Sequence, residues 1–301
     1  MNGELKKLRS LIARNIKLYF KDKMVFLLSL MTPLILVFLF LAFLKSVYQD
    51  VLLNIIPDVF TIDSSLVDAF TGGWLFSSIV SVSCVTVAFC SNMMVADKIS
   101  RAYNDIEISS IRKTTLRLSY PISNFITTLI ICVIAVVISL IYLAIVGFYL
   151  SATDVLFILL VTMLSVLFGC LLSSIVGLFI SSQGALSGVC TLISSFYGFI
   201  NGAFMPLAQF SSGMQHLISF NPGIYGTVLL RQYYMNGVLD KMSETLPSDV
   251  ISTIRESFDG TFFFFGTEVS SSIMYAILVG VIVLLLAVYL LLSRYKTSKN
   301  K

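Results

Sequence analysis

Six apolar windows of the chain, each more than twenty residues long, contain no aspartate, glutamate, lysine or arginine: 24–44, 74–96, 121–150, 155–180, 185–207 and 270–292. A helix rises about 1.5 Å per residue and the hydrocarbon core of a bilayer is about 30 Å thick, so each stretch is long enough to cross. The pattern predicts an all-α integral membrane protein with six transmembrane helices in one domain, 1–301. Ahead of the first span, Leu5, Leu8, Ile12, Ile16 and Tyr19 recur at helical spacing, with Lys6, Lys7, Arg14, Lys17 and Lys21 on other faces. That predicts an amphipathic interfacial helix over 1–23, either a plain anchor or a docking element. Pro33 predicts a kink in span one, and 46–71 reads as an acidic loop.

Small residues mark spans four and five. Ser165, Gly169, Ser173, Gly177 and Ser181 recur every four residues, and Gly184, Gly188, Thr191, Ser195, Gly198 and Gly202 alternate steps of four and three. Such stripes let membrane helices approach closely. They fit packing within one subunit, a subunit interface or the wall of a transport path. Beyond span five, 208–269 contains apolar pieces interrupted at Gly213 and at Asn221-Pro222-Gly223, after a first break at Pro206. Pieces too short to cross must re-enter the outer leaflet or lie on it. Asn221 reads as a helix N-cap with Pro222 in the first helical position, and Phe262 to Phe265 read as an interfacial anchor.

Composition agrees with the pattern: 57% of residues are hydrophobic and 12% charged, and the mean hydropathy is +0.94. Sixteen of the twenty cations fall in 1–23, in 97–119 and after 292, while eleven of the sixteen acids fall in the other connections. By the positive-inside rule both termini are cytoplasmic. The first span is longer than a cleavable signal's apolar region and follows twenty-three other residues, so it reads as a retained anchor. The five cysteines all lie within spans and read as packing residues; His216 is the sole histidine, which disfavours His-based metal sites and catalytic triads. Ion-coupled carriers place ionisable groups inside the membrane, and the six windows have none. No glycine precedes a lysine, so a phosphate-cradling Gly-Lys-Ser/Thr loop is missing as well. Any driving energy has to come from a partner protein, and no clustered nucleophile and base indicates an enzyme.

The segment 97–123 carries five cations and three anions between two uncharged spans. A short charged helix tied to spans two and three has the properties of a lever seated in a motor subunit. With the N-terminal helix, "LRLSYPIS", "GAFMPLAQF" and "ISFNPGIYGTVLLRQYYMNG", the chain resembles the membrane subunit of ABC-2 type (type V exporter) ABC transporters over nearly its whole length. Family members show a Gly and Phe-Pro-like break after span five, an Asn-Pro turn and then an Arg. Here these match Gly202, Met205-Pro206, Asn221-Pro222 and Arg231. The family's acidic residue followed by Gly is absent from the segment, which leaves the register of the coupling helix open.

The resemblance implies a permease subunit that exports an amphiphilic drug, peptide or lipid-like substrate, or a lipid-linked glycan, from a bacterial cell across its plasma membrane. It implies two partners: an ATP-binding cassette ATPase subunit, which binds ATP and Mg so that this chain needs no cofactor, and a second identical or homologous permease. Membrane lipid surrounds both, and no nucleic acid is expected. The ATPase would dock on a coupling segment at 97–119 and the N-terminal helix, through Arg14, Lys17, Arg101, Tyr103, Asn104, Asp105 and Glu107. Spans two and five would line the path with Ser77, Ser81, Thr191, Ser195 and Asn201. Phe204, Met205 and Pro206 would form an outer gate, and Gly184, Gly188, Gly198 and Gly202 a close helix packing or dimer interface. The rival from another class is an ion channel or secondary carrier.

Overall fold

The computed structural model describes residues 2–109 and 111–299. Met1, Ser110, Asn300 and Lys301, and the side chains of the tail cations Lys296 and Lys299, lie outside the described residues. Helices α1 (Asn2–Lys21) and α2 (Lys23–Leu39) are followed by a π-helical turn, Phe40–Leu44, which passes directly into α3 (Lys45–Ile55). Then come α4 (Ser64–Cys90), α5 (Met93–Ile99), α6 (Ala102–Glu107), α7 (Lys113–Val146), α8 (Ala152–Phe179) and α9 (Gln183–Ile200). The chain continues through α10 (Ser212–Ser219), α11 (Gly223–Met242) and α12 (Ser248–Ser257) to α13 (Ser271–Lys299). Between α12 and α13, Phe263–Phe264 pairs antiparallel with Thr267–Glu268.

Six helical segments among the described residues are long and apolar enough to cross a membrane: Ser29–Ile55, Ser64–Ile99, Lys113–Val146, Ala152–Phe179, Gln183–Ile200 and Ser271–Tyr295. The first three outrun their apolar windows furthest, and the first two do so into the connection between them. Most of the expected loop 46–71 is helix, in α3 and the first turns of α4, because its polar side chains pair along the helices. Lys45 Nζ lies 2.8 Å from Asp68, Gln49 also donates to Asp68, and Asp63 caps α4 by accepting from the Ser65 N–H at 3.1 Å.

Helix α4 is the axis of the bundle. From Leu66 to Phe89 every residue except Asp68 is buried, and α2, α7, α8, α9 and α11 pack around it. Its hydroxyls do not force water into this core, since Ser77, Ser83 and Thr86 donate to carbonyls one turn back in their own helix. Gly169 of α8 lies where a side chain would strike the α4 backbone at Cys84 and Val85, so that stripe residue seats α8 on α4. The outer helices leave aliphatic side chains uncovered, among them Ile134, Ile141 and Ile145 of α7 and Val283, Leu284 and Leu291 of α13.

The apolar pieces after span five join into longer helix than their interruptions indicate. Asn221 Oδ1 accepts from the Gly223 N–H at 3.2 Å, and from there α11 runs for twenty residues. It starts halfway along the bundle, with Gly226 against the Ser165 hydroxyl of α8 and Thr227 2.6 Å from Ser81 of α4. It ends beside the α7–α8 connection, where Gly237 meets the Tyr149 carbonyl and Asn236 donates to Asp154 at 3.3 Å.

The face α1 buries is rotated from the expected stripe. Leu11, Asn15 and Tyr19 are buried, whereas Leu5 is 61% exposed. The cause is polar pairing: Asn15 donates to Ser123 of α7 at 3.3 Å and the Tyr19 hydroxyl lies 2.5 Å from Ser29.

Candidate functional site

One end of the bundle gathers α1, α5, α6 and the far end of α13, where Leu11, Met94, Leu116, Tyr120, Leu178 and Tyr289 share a small core. Asp97 sits at its centre with 4% exposure. Both oxygens accept from Arg14, at 2.7 and 3.0 Å, and the Tyr120 hydroxyl donates to it at 2.8 Å. A bidentate guanidinium–carboxylate pair fixes direction as well as distance, so α1, α5 and α7 are held as one piece. The neighbouring Lys98 donates to the carbonyls of Gly177 and Leu178 at 2.6 and 3.1 Å, placing a cation on the C-terminal carbonyls of α8.

On that base α6 projects. Arg101, Asn104, Asp105, Ile108 and Ser109 are exposed, and Ile108 is 86% exposed, unusual for an isoleucine beside charges. Glu107 turns inward, 3.1 Å from Lys113 and 4.0 Å from Arg117, and Tyr103 is half-buried, stacked on Tyr120 at 6.1 Å. Of the residues expected to dock a partner, Lys17, Arg101, Asn104 and Asp105 therefore face outward, while Arg14, Tyr103 and Glu107 hold the projection in place. Arg101 enters α6 at φ +64°, a left-handed conformation that a glycine would adopt without strain. The segment makes its turn there without one.

Near the opposite end a buried ion pair ties four segments. Arg231 of α11 donates to Asp259 at 2.5 Å, to the Gly202 carbonyl at 2.5 Å and to Ser78 at 3.2 Å. Its guanidinium stands 4.7 Å over the Trp74 ring, and the Trp74 N–H is satisfied by the Phe258 carbonyl at 3.0 Å. The Asp259 oxygens also accept from the Leu207 N–H, at 3.0 and 2.9 Å. Burial pushes the Asp259 carboxyl up to about 6, against the pull of Arg231. The turn carrying Phe204, Met205 and Pro206 is pinned at both ends by this pair, through Gly202 and Leu207, and the Tyr48 hydroxyl holds the Phe204 carbonyl at 2.8 Å.

The residues expected to line a path separate into two groups. Ser77, Ser81 and Asn201 are buried inside the protomer. Asn201 donates to Ser81 at 2.9 Å and to Thr227, which joins α4, the end of α9 and α11. Thr191 and Ser195 instead lie on the exposed face of α9, with Thr191 donating to the Ser187 carbonyl at 2.9 Å. Gly184 and Gly188, on the same face, have no atom beyond their own helix turn within 4 Å of where a Cβ would stand. Gly198 is covered by the Phe204 ring of its own chain, and Gly202 forms the turn at φ +64°.

A family model described as ABC-2 family transporter protein matches residues 46–289. The chain belongs to that family. A comparison with curated proteins returns no match. The ABC-2 assignment makes it a multi-pass membrane component of an ABC transporter, which works with an ATP-binding cassette subunit. The match takes in the buried pair, the small-residue face of α9 and the projecting α6, while all of α1 and α2 lies before it.

Sequence reasoning counted Asp97 among the charges of the projecting segment and Asp259 among the outer acids, and did not single out Trp74, Tyr120 or Thr227. Some signal was present. Asp97 follows an uncharged span directly, where an acid is either exposed or paired, and Asp259-Gly260 is a turn dipeptide after a helical stretch.

Proposed function

We propose that this ABC-2 chain is the permease half of an ATP-driven exporter of amphiphilic molecules in a bacterial plasma membrane, with both termini cytoplasmic. ATP and Mg are bound by the partner ATPase, whose closure pushes on α6. The observation that carries this reading is the attachment of the α5–α6 segment to three spans: α5 follows α4 directly and is held to α7 and α8 through Asp97 and Lys98, and α6 is seated on α7 by Tyr103 against Tyr120 and by Glu107 against Lys113. A displacement of a segment so tied must move α4, α7 and α8 with it. The outward residues Lys17, Arg101, Asn104, Asp105 and Ile108 form the docking surface. Their mixed charge and one apolar side chain suit a protein better than anionic lipid, which an all-basic run would serve.

A second permease copy covers the open face of α9, so that Thr191 and Ser195 line the path between the copies and the turn 204–206 gates its outer end. The uncharged span walls favour an amphiphile as cargo. On this reading Ser77, Ser81 and Asn201 act as a joint inside the protomer, and α10 with α11 re-enters from the outer side. The test is Asp105→Lys with Ile108→Glu, both exposed and clear of the internal pairs. The double variant should insert and fold as wild type, lose co-purification with the ATPase subunit, and lose ATP-dependent efflux. Normal co-purification and efflux would place the docking site elsewhere.

A further inference from the structure

Cys84, Cys132 and Cys170 are no more than 1% exposed, so reagents cannot reach them without opening the core. Cys90 and Cys190 differ. Both are partly accessible, and they line the same cavity, of about 220 Å³, together with Asn92, Met93, Gln183 and Ser187. Cys90 closes α4 and Cys190 lies in the middle of α9, two helices that pack against each other, and the shared cavity brings both residues to one wall. The cavity is partly open and mainly apolar in its lining, so a lipophilic hydroperoxide has an approach to both sulfurs.

We propose that Cys90 and Cys190 are an oxidation site, a dithiol that closes reversibly to a disulfide and staples α9 to the end of α4. The oxidant belongs to the hydroperoxide class. The thiolate of one cysteine attacks the peroxide oxygen, the O–O bond breaks, and a sulfenic acid forms while an alcohol or water leaves. The second thiol then attacks the sulfenic sulfur, the S–S bond forms, and water carries away the oxygen and the proton. Two thiols lose two electrons in all, and the peroxide gains them.

The bond would act where the fold is most open. The first half of α9 leaves Gly184, Ser187 and Gly188 exposed and meets the rest of the chain through α4 and α5. Its other end is already fixed by Asn201 and the buried turn. A staple at Cys190 therefore removes the freedom of α9 against α4. Formation of the disulfide does not depend on the exporter reading, and only its effect on efflux does.

The full chain, in native membranes, is exposed to cumene hydroperoxide, trapped with N-ethylmaleimide and mapped as peptides without reductant. Expected is a cross-linked peptide joining Cys90 to Cys190, loss of maleimide labelling at both, unchanged Cys84, Cys132 and Cys170, and reversal by dithiothreitol. Cys90→Ser should abolish the cross-link and leave Cys190 labelled. Efflux by the wild type should fall on oxidation and recover on reduction, whereas Cys90→Ser should keep its efflux in peroxide. Labelling of both thiols that persists through peroxide treatment, a Cys84–Cys132 product, or a bond between two copies would overturn the site. A disulfide that leaves efflux unchanged would overturn the staple's role, and a chain without efflux before oxidation would instead count against the exporter reading.

Discussion

Arg231 Nη1 lies 2.5 Å from the Asp259 carboxylate, and neither side chain is more than 4% exposed. The pair costs desolvation on both sides, and its attraction recovers that cost only through the further bonds to Gly202, Ser78 and Leu207. Removing one partner strands a buried charge. Asp259→Ala or Arg231→Ala should each destabilise the detergent-solubilised protein by about 3–5 kcal/mol, while the paired change Arg231→Met with Asp259→Leu should cost clearly less than either. Thermal unfolding of the three variants decides it. Additive losses would mean the pair is not an isolated couple.

The raised Asp259 carboxyl makes a prediction about pH. Its folded value of about 6 exceeds the ordinary 3.8, so between these values the folded chain binds more protons than the unfolded one. This group's contribution is thus largest below about pH 4, falls as pH rises through 6 and levels off by about pH 7, a total of about 3 kcal/mol. Other carboxyls titrate in the same window, so the measurement is the difference between wild type and Asp259→Asn from pH 4 to pH 7. That difference should show the slope, and a flat difference would mean Asp259 is an ordinary carboxylate.

Helix α1 is held at Asp97. Without that carboxylate Arg14 loses two bonds and Tyr120 one, at a cost of about 2 kcal/mol, kept modest because Arg14 is about one-third exposed to solvent. Asp97→Ala should therefore release α1 locally, without unfolding the bundle. Trypsin cleavage after the exposed Lys17 and Lys21 should rise by about thirtyfold, as expected when cleavage follows an opening equilibrium. Arg14→Lys should behave almost as badly, since an ammonium cannot reproduce the two-pronged contact.

The spans were legible because the bilayer demands one thing of them, an uncharged length of about 20 residues, and a run such as 155–180 satisfies it without reference to any neighbour. Residues whose role depends on a distant partner were not. Asp97 and Asp105 look alike in the sequence, yet one is buried beneath Arg14, eighty-three positions away, and the other faces out. The stripe of α9 is regular by spacing, but its environment is not: Gly188 stands open while Gly198 is roofed by Phe204. Periodicity shows which residues share a face, and only the fold shows what covers each part of it.

That difference selects the test of the α9 face. Gly198→Leu would collide with Phe204 in the same chain, so a loss of function there could arise from damage inside one protomer. At Gly188 an added Cβ would meet nothing within 4 Å beyond its own helix turn, so a leucine there starts into open space rather than into a packed contact of its own protomer. In lipid, an added apolar side chain on an uncovered helix face is accepted without hydrophobic penalty, whereas at a helix–helix contact it forces the backbones apart. Gly188→Leu should therefore leave the unfolding temperature of the dissociated protomer unchanged, shift the solubilised protein from dimer toward monomer by light scattering, and abolish ATP-dependent efflux. Leu192→Ala, at an exposed side chain on another part of α9, should do none of these. A Gly188→Leu protein that stays dimeric and active would mean that this face looks onto lipid, and Thr191 and Ser195 would leave the path with it.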